Sequence, residues 1–283
     1  MNGGPLVSIA ILTQNRCEEV VSAINSALVQ DYPNTEIVIV DSASTDRTVE
    51  TISKAFPLIK LIRLHRNMGC PEGRNVALAN CQGEIIISLD DDAVLERSTV
   101  SKCVEKLYND EEAAIIACRI IEPGSERSSI NKEHYVADFS GGACAIRRAV
   151  IKEVGYFSHD YFRQGEETDL TLRIIEAGHK ILYSPDAIIY HNKQSGDRDI
   201  GEMLYHSCRN DLLTVIRNAP MVILPILMIW KYVVWNREGL MRGHLRETAL
   251  ASVGVSLRTP SLLRNRAPVS IATYAKYFAL RRR

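Results

Sequence analysis

Residues Glu84 to Leu95, EIIISLDDDAVL, constrain the fold more than any other stretch of the chain. Three consecutive isoleucines have high β propensity and read as a buried strand. That strand runs straight into Asp90, Asp91 and Asp92. Carboxylates at the end of a buried strand are costly unless positive charge meets them. A divalent cation is the simplest partner, because Mn2+ or Mg2+ takes oxygen ligands and bridges phosphates. Taken alone, three acids make a solvated turn just as readily, so the rest of the chain has to supply a site around them.

Upstream, Leu6 to Leu12 is a β-rich apolar run that ends in Thr13, Gln14, Asn15 and Arg16. Glu18 to Gln30 carries Val20, Val21, Ile24, Ala27 and Leu28 at helical spacing, and Asp31-Tyr32-Pro33 closes that helix. Glu36 to Val40 is a second strand ending at Asp41, followed by a polar turn in which Ser44 or Thr45 would cap the next helix. Leu58 to Leu64 is the third strand. Strands alternating with helices predict an α/β fold with a single doubly wound, mostly parallel sheet. In such sheets ligands bind beyond the carboxyl ends of the strands, where Thr13–Arg16, Asp41 and Asp90–Asp92 all fall. Neither GxGxxG nor GxxxxGK[ST] occurs, so no dinucleotide fingerprint or P-loop accounts for a site there. Asn67 to Asn75, NMGCPEGRN, precedes the DDD strand. Gly69 and Gly73 permit close backbone approach, Pro71 suits a first helical turn, and Arg74 falls in the opening turns of that helix.

The chain resembles the inverting GT-A glycosyltransferases of family 2. The matching segments are VSIAILTQNR, EIVIVDSASTD, NMGCPEGRN, SLDDDA, FSGGACAIRR, FRQGEETDLTLRI and SPDAIIYH, in the family's order between Val7 and His191. The resemblance implies a GT-A fold and a nucleoside diphosphate sugar as donor. It implies that Asp41 hydrogen-bonds the donor's base, and that Thr13, Asn15 and Arg16 line the nucleoside pocket. Asn67, Gly69 and Arg74 would lie around base and ribose. Asp90 and Asp92 become the outer acids of a DXD motif flanking Asp91 on the nucleotide side, Asp92 holding the metal and His191 serving as a further protein ligand. A lone histidine after a strand is otherwise more often structural.

In the second half, Asp138 to Ile146 reads as a strand entered through Gly141-Gly142, where paired glycines leave room for a sugar or a backbone kink. Glu166, Glu167 and Asp169 crowd a helix start, where capping explains one acid but not three. The resemblance puts Gly141, Gly142 and Glu166 on the donor-sugar and acceptor side, and calls there for Glu-Asp-x-Asp. This chain has Glu-Glu-Thr-Asp, so Glu167 stands at the position of the aspartate base that takes the acceptor hydroxyl's proton. Asp169 is the alternative base, although its spacing to Arg173 also suits a structural pair.

The expected organisation is a catalytic domain over 1–200, nucleotide-binding to about 97 and acceptor-binding beyond, with a helical extension over 201–283. Arg209-Asn210 and Arg217-Asn218 look like the C-terminal helices of bacterial members. Pro220 to Trp235 is very apolar but broken by Pro225 and Lys231, which disfavours a membrane span. No acid follows Glu247, while Arg258, Arg264, Arg266, Lys276 and Arg281–Arg283 are basic and Ile271, Tyr274, Tyr277, Phe278 and Leu280 add an apolar component. Two readings stay open: peripheral docking on anionic lipid, with a lipid-linked acceptor, or a helical hairpin packed on the catalytic domain.

Lys plus Arg and Asp plus Glu both number 34, so no charge excess argues for nucleic acid. Seven scattered cysteines without a CxxC pair argue for reduced thiols, and the N-terminal apolar run is too short for a secretory signal; a cytoplasmic protein is expected. Oligomeric state is not readable. A nucleotidyltransferase would want a basic, glycine-rich loop after the first strand, which TQNRCEE does not provide. A non-catalytic sugar-nucleotide binder would not need the acids at Asp90, Asp92 and Glu167.

Overall fold

The computed structural model describes residues 4–124, 131–192, 199–264 and 266–281. Arg282 and Arg283 of the basic tail lie outside them. The first half alternates β1 (Val7–Thr13), α1 (Cys17–Leu28), β2 (Thr35–Asp41), α2 (Thr48–Ala55), β3 (Lys60–Arg63), α3 (Cys70–Asn80) and β4 (Ile85–Asp90). Then come β5 (Ala93–Leu95), α4 (Thr99–Asn109), β6 (Ala113–Ile121), β7 (His134–Val136), β8 (Ala143–Arg147), α5 (Arg148–Val154), α6 (Glu166–Glu176) and β9 (Lys180–His191). The extension is α7 (Ile200–Asn218), α8 (Leu224–Met241), α9 (Leu245–Arg264) and α10 (Ile271–Arg281).

One sheet holds all the described strands in the order β3-β2-β1-β4-β8-β6-β9-β5, with β7 on β9. The β3-β2-β1-β4 half is parallel, and the register sets Thr13 beside Asp41 and Leu12 beside Asp90. Strand alternation divides the core into two layers. Ile9, Ile11, Ile39 and Ile87 meet α1 and α4 on one face, while Ala10, Val38, Val40 and Ile86 meet α3, α5 and α6 on the other. In the other half β4–β8, β6–β8 and β5–β9 are antiparallel and β6–β9 is parallel. The β5–β9 pairing sets Ala93 beside His191, which carries a residue from the end of the match to the end of the DDD stretch.

Several boundaries differ from the sequence reading. The third strand is Lys60–Arg63, because Leu58 is 99 % exposed and contributes nothing to a core. The Asp138–Ile146 strand begins only at Ala143; the glycines before it lie in a turn closed by Ala143 N–H on the Ser140 carbonyl. Neither Ser44 nor Thr45 caps α2, which starts at Thr48 without a side-chain cap on its N-cap residue Arg47. Ser44 instead accepts from the Asn15 amide. The Ile181–His191 segment is a single strand, with Pro185 at a shift in the β6–β9 register.

The extension packs on α6 and the loop before it. Leu172 and Ile175 of α6 and Tyr161 share a core with Leu212 and Ile216 of α7, Val255 of α9 and Tyr274 and Tyr277 of α10. The tail's aromatic residues therefore face inward, and Arg281 reaches Asp138 at 3.2 Å. No helix among the described residues is long and apolar enough to cross a membrane.

Candidate active site

The carboxyl ends of β1, β2 and β4 line one edge of the parallel half. Asp41 is fully buried there. Its Oδ2 accepts from the Ser44 amide at 3.1 Å, and its Oδ1 has no hydrogen-bond partner among the described residues. Beside it, the buried Thr13 hydroxyl lies against Asp91. Buried polar atoms are nearly always paired, so the orphaned Asp41 oxygen at this strand end points to a missing ligand. Asn67 donates to Gln14 at 2.9 Å and accepts from the Gly69 amide at 2.8 Å, which closes the rim of this recess. Gly69 has φ +86, and a Cβ there would lie 2.2 Å from the Phe162 carbonyl oxygen, so glycine is required. Asn15 departs from the expected pocket lining. It is exposed, sits at φ 51, and accepts from the Thr45 amide at 2.7 Å, so it shapes the β2–α2 loop.

The three consecutive aspartates separate at once. Asp90 accepts from Arg74 at 2.8 Å. Asp91 is turned inward toward Arg16 at 3.4 Å and the Gln14 amide at 3.3 Å, and burial pushes its carboxyl up to about 6. It is thus a buried carboxyl beneath Arg16. Asp92 is gripped by Arg16 and lies 3.1 Å from His191 Nε2. Burial would raise the Asp92 carboxyl, but hydrogen bonds from His191 and Arg16 outweigh it and hold the group well below the usual carboxylate range. The same contact with Asp92 raises His191, whose Nδ1 lies 3.3 Å from Glu122. An oxygen from each of Asp90 and Asp92 and a ring nitrogen of His191 can lie within 4.8 Å of one another. Two hard carboxylates and an imidazole whose second nitrogen faces a carboxylate fit a Mn2+ or Mg2+ ion.

On the opposite side stands the start of α6. Gln164 at φ 66 and Gly165 at φ 81 turn the chain sharply into Glu166 and Glu167. Glu167 is half-buried and accepts from the Gly141 amide at 3.1 Å. Glu166 lies lower than a sugar-facing residue would. It is 2 % exposed and takes Arg74 on one oxygen at 2.9 Å, while burial and neighbouring Glu167 push its carboxyl up to about 7. Arg74 therefore joins Asp90 to Glu166, and their two charges raise its own proton affinity despite the cost of burial. Asp169 faces away from the cleft. Its Oδ2 takes Arg173 at 2.8 Å and its Oδ1 takes Asn218 at 2.7 Å. Gly141 and Gly142 floor the gap between the two acid groups. A Cβ on Gly142 would fall 2.0 Å from the Asp90 carboxylate, and one on Gly141 3.0 Å from Glu167.

The α7 residues that support this side went unassigned in the sequence. Asn210 is fully buried and donates to the Arg163 and Gln164 carbonyls, each at 2.6 Å. Arg217 reaches Asp160 at 2.7 Å, and Arg209 donates to the Asp160 carbonyl. The repeated Arg-Asn pair, eight residues apart on one helix, was the available signal.

Residues 8–189 match the model of glycosyl transferase family 2. An uncharacterized glycosyltransferase of Haemophilus influenzae is 26 % identical over 208 residues, which is 67 % of this chain and 70 % of that protein. The poly(ribitol-phosphate) β-N-acetylglucosaminyltransferase TarS of Staphylococcus aureus is 34 % identical over 98 residues, 33 % of this chain but only 17 % of TarS. The mannosyltransferase PcManGT of Pyrobaculum calidifontis, solved with GDP-Man and Mn2+, superposes with a TM-score of 0.62 at 20 % identity, covering 98 % of this chain and 86 % of that one. At that identity the likeness shows the fold, a GT-A α/β architecture.

Proposed function

The chain belongs to glycosyl transferase family 2 and is a glycosyltransferase, and from that premise we propose that it transfers a sugar from a nucleoside diphosphate sugar to an acceptor hydroxyl with inversion at the anomeric carbon. The observation that carries this reading is the convergence of Asp90 and Glu167 over the Gly141-Gly142 floor. A carboxylate base there faces the acid-rich donor end across a gap that any side chain would fill.

Glu167 is the base. Its carboxylate takes the acceptor hydroxyl's proton as that oxygen bonds to C1 and the C1–O bond to the diphosphate breaks. The Gly141 amide orients the carboxylate. Asp169 is a poor alternative, because both of its oxygens are already held by Arg173 and Asn218. Asp41 offers its unpartnered Oδ1 to the donor's base, which favours an imide N–H, hence uracil or thymine. Arg74 fixes Asp90 on the donor side and Glu166 beneath the base, so the two halves keep their spacing. Asp92 and His191, with Asp90 within reach, would hold a divalent ion, which when bound neutralises charge on the leaving diphosphate. TarS, by name an N-acetylglucosaminyltransferase, and PcManGT, solved with GDP-Man, support a nucleotide sugar as the donor class.

The test is turnover and anomeric analysis with UDP-, dTDP- and GDP-sugars, with and without Mn2+. A product of inverted configuration is expected. Retained configuration, or pyrophosphate release in place of nucleoside diphosphate, would overturn the reading.

A further inference from the structure

Thirteen of the 22 large apolar side chains exposed among the described residues fall between 221 and 257. Such a concentration marks an interaction surface and not the ordinary scatter of surface apolar residues. Among them Ile226, Ile229, Val233 and Leu240 of α8, and Leu250, Val253 and Leu257 of α9, fall along one face of their helix, a line that exposed Arg237 fills on α8 and Ser261 and Arg264 continue on α9. Counted with those polar positions, each line steps by 3, 4, 4 and 3 residues, which keeps it on one helix face.

The opposite faces are spoken for. Lys231 and Trp235 of α8 each reach Asp211 of α7 at 2.7 Å. Thr248, Ala251, Ser252 and Val255 of α9 are buried, with Cys208 of α7 bonded to the Thr248 carbonyl. Tyr232 of α8 joins Ser256 of α9 at 2.6 Å. Each apolar stripe thus points away from α7, on the side of its helix that packs on nothing described.

We propose that the joint outer face of α8 and α9 docks on an anionic lipid surface. Its charge supports that occupant. Exposed Arg237 lies within the α8 stripe, exposed Arg246 and Arg264 bracket the α9 stripe, and the described residues after Glu247 include no Asp or Glu. Arginines around an apolar stripe keep their heads at the phosphates while the stripe enters the headgroup boundary. With no helix among the described residues fit to span, the face would lie on the bilayer plane. A second copy of the chain is a poorer occupant, since two-fold pairing would oppose the same arginines across an α9 face that carries no carboxylate.

The full chain is sedimented with vesicles of phosphatidylglycerol in phosphatidylcholine, and with pure phosphatidylcholine. Binding is expected to the anionic vesicles and more weakly to the neutral ones. Ile226→Gln with Ile229→Gln and Leu257→Gln should lower it about tenfold or more with an unchanged melting temperature, since all three are exposed. Arg237→Gln with Arg246→Gln and Arg264→Gln should remove the salt-sensitive part, about fivefold per cation. Absence of binding to both vesicles, binding indifferent to the apolar triple variant, or a dimer in light scattering that this variant dissolves would each overturn the proposal. Donor binding, measured in parallel, is expected to persist in every variant, so the chemistry proposed above is judged separately.

Discussion

The acids at the end of β4 and the acids at the start of α6 look alike in sequence and are used differently. Asp90 and Asp92 remain at the ligand edge, each met by a cationic partner: Arg74 for the first, Arg16 and His191 for the second. Asp91 between them lies with Asp92 in the turn after β4, and Arg16 reaches both. On α6 each residue rotates about 100°, so Glu166, Glu167 and Asp169 point three ways. One goes to Arg74, one to the Gly141 amide, and one into the extension against Asn218. The turn after a strand thus lets neighbouring carboxylates share one cation, Arg16 meeting both Asp91 and Asp92, and a helix start can give each its own task.

That contrast can be broken most sharply at Glu167. Glu167→Gln should lower turnover by roughly two to four orders of magnitude while donor affinity stays put, because the proposed base acts on the acceptor and not on the donor. Equal loss from Asp169→Asn, with an intact melting curve, would hand the base role to Asp169. The next effect should be on folding. Asp169→Ala leaves Arg173 without its carboxylate and should cost about 3 kcal/mol, read by denaturant unfolding. A stable but inactive protein would refute the structural role.

A smaller effect is expected on the strand side. Asp92→Ala should weaken donor binding in Mn2+ by at least about tenfold and leave metal-free binding nearly unchanged, as calorimetry would show. Equal affinity with and without Mn2+ in the parent would remove Asp92 from the metal role. Asn210→Ala strips two buried carbonyls of their donor and should cost about 1–3 kcal/mol, with kcat falling more than donor KM rises. A matched fall in both would mean that α7 merely stabilises.

The smallest effect is in pH. Glu166 binds its proton more tightly folded than unfolded, rising from 4.5 to about 7. Between those values the folded state holds more protons, so this group's contribution to stability declines as pH rises through the window and levels off above it. Glu166→Gln should flatten the stability profile between pH 4.5 and 7 relative to the parent. An unchanged slope would place Glu166 in an ordinary environment.

Much of this was legible beforehand. The isoleucine runs predicted β1, β2 and β4, because unbroken apolar strands in alternation with helices leave few folds but a parallel sheet covered on both faces. Asp41 and Arg74 were placed by position at a strand end and a helix start; the structure gives the first an unpartnered oxygen and the second two carboxylates. The inward turn of Asp91 was not, nor the loop-shaping part of Asn15, which depends on a left-handed backbone at residue 15 and on Thr45 lying beside it. For Tyr274 and Tyr277 the sequence left both readings open, because an apolar-aromatic tail reads the same whether it faces lipid or α6; the structure buries both against the α6–α7 core.

The sequence by itself determined the order of strands and helices, the three polar strand ends, and the carboxylates available for chemistry. Those follow from periodicity and residue type, which are local. The resemblance had already put His191 with Asp92; only the tertiary structure decided that their atoms come within 3.1 Å, that Arg74 ties Asp90 to Glu166, and that Asn210 and Asn218 hold the α6 start from a helix some fifty residues away in the chain. Those contacts depend on the antiparallel return of β9 beside β5 and on the packing of α7 against α6, and no local preference encodes which of several buried carboxylates a distant side chain will reach.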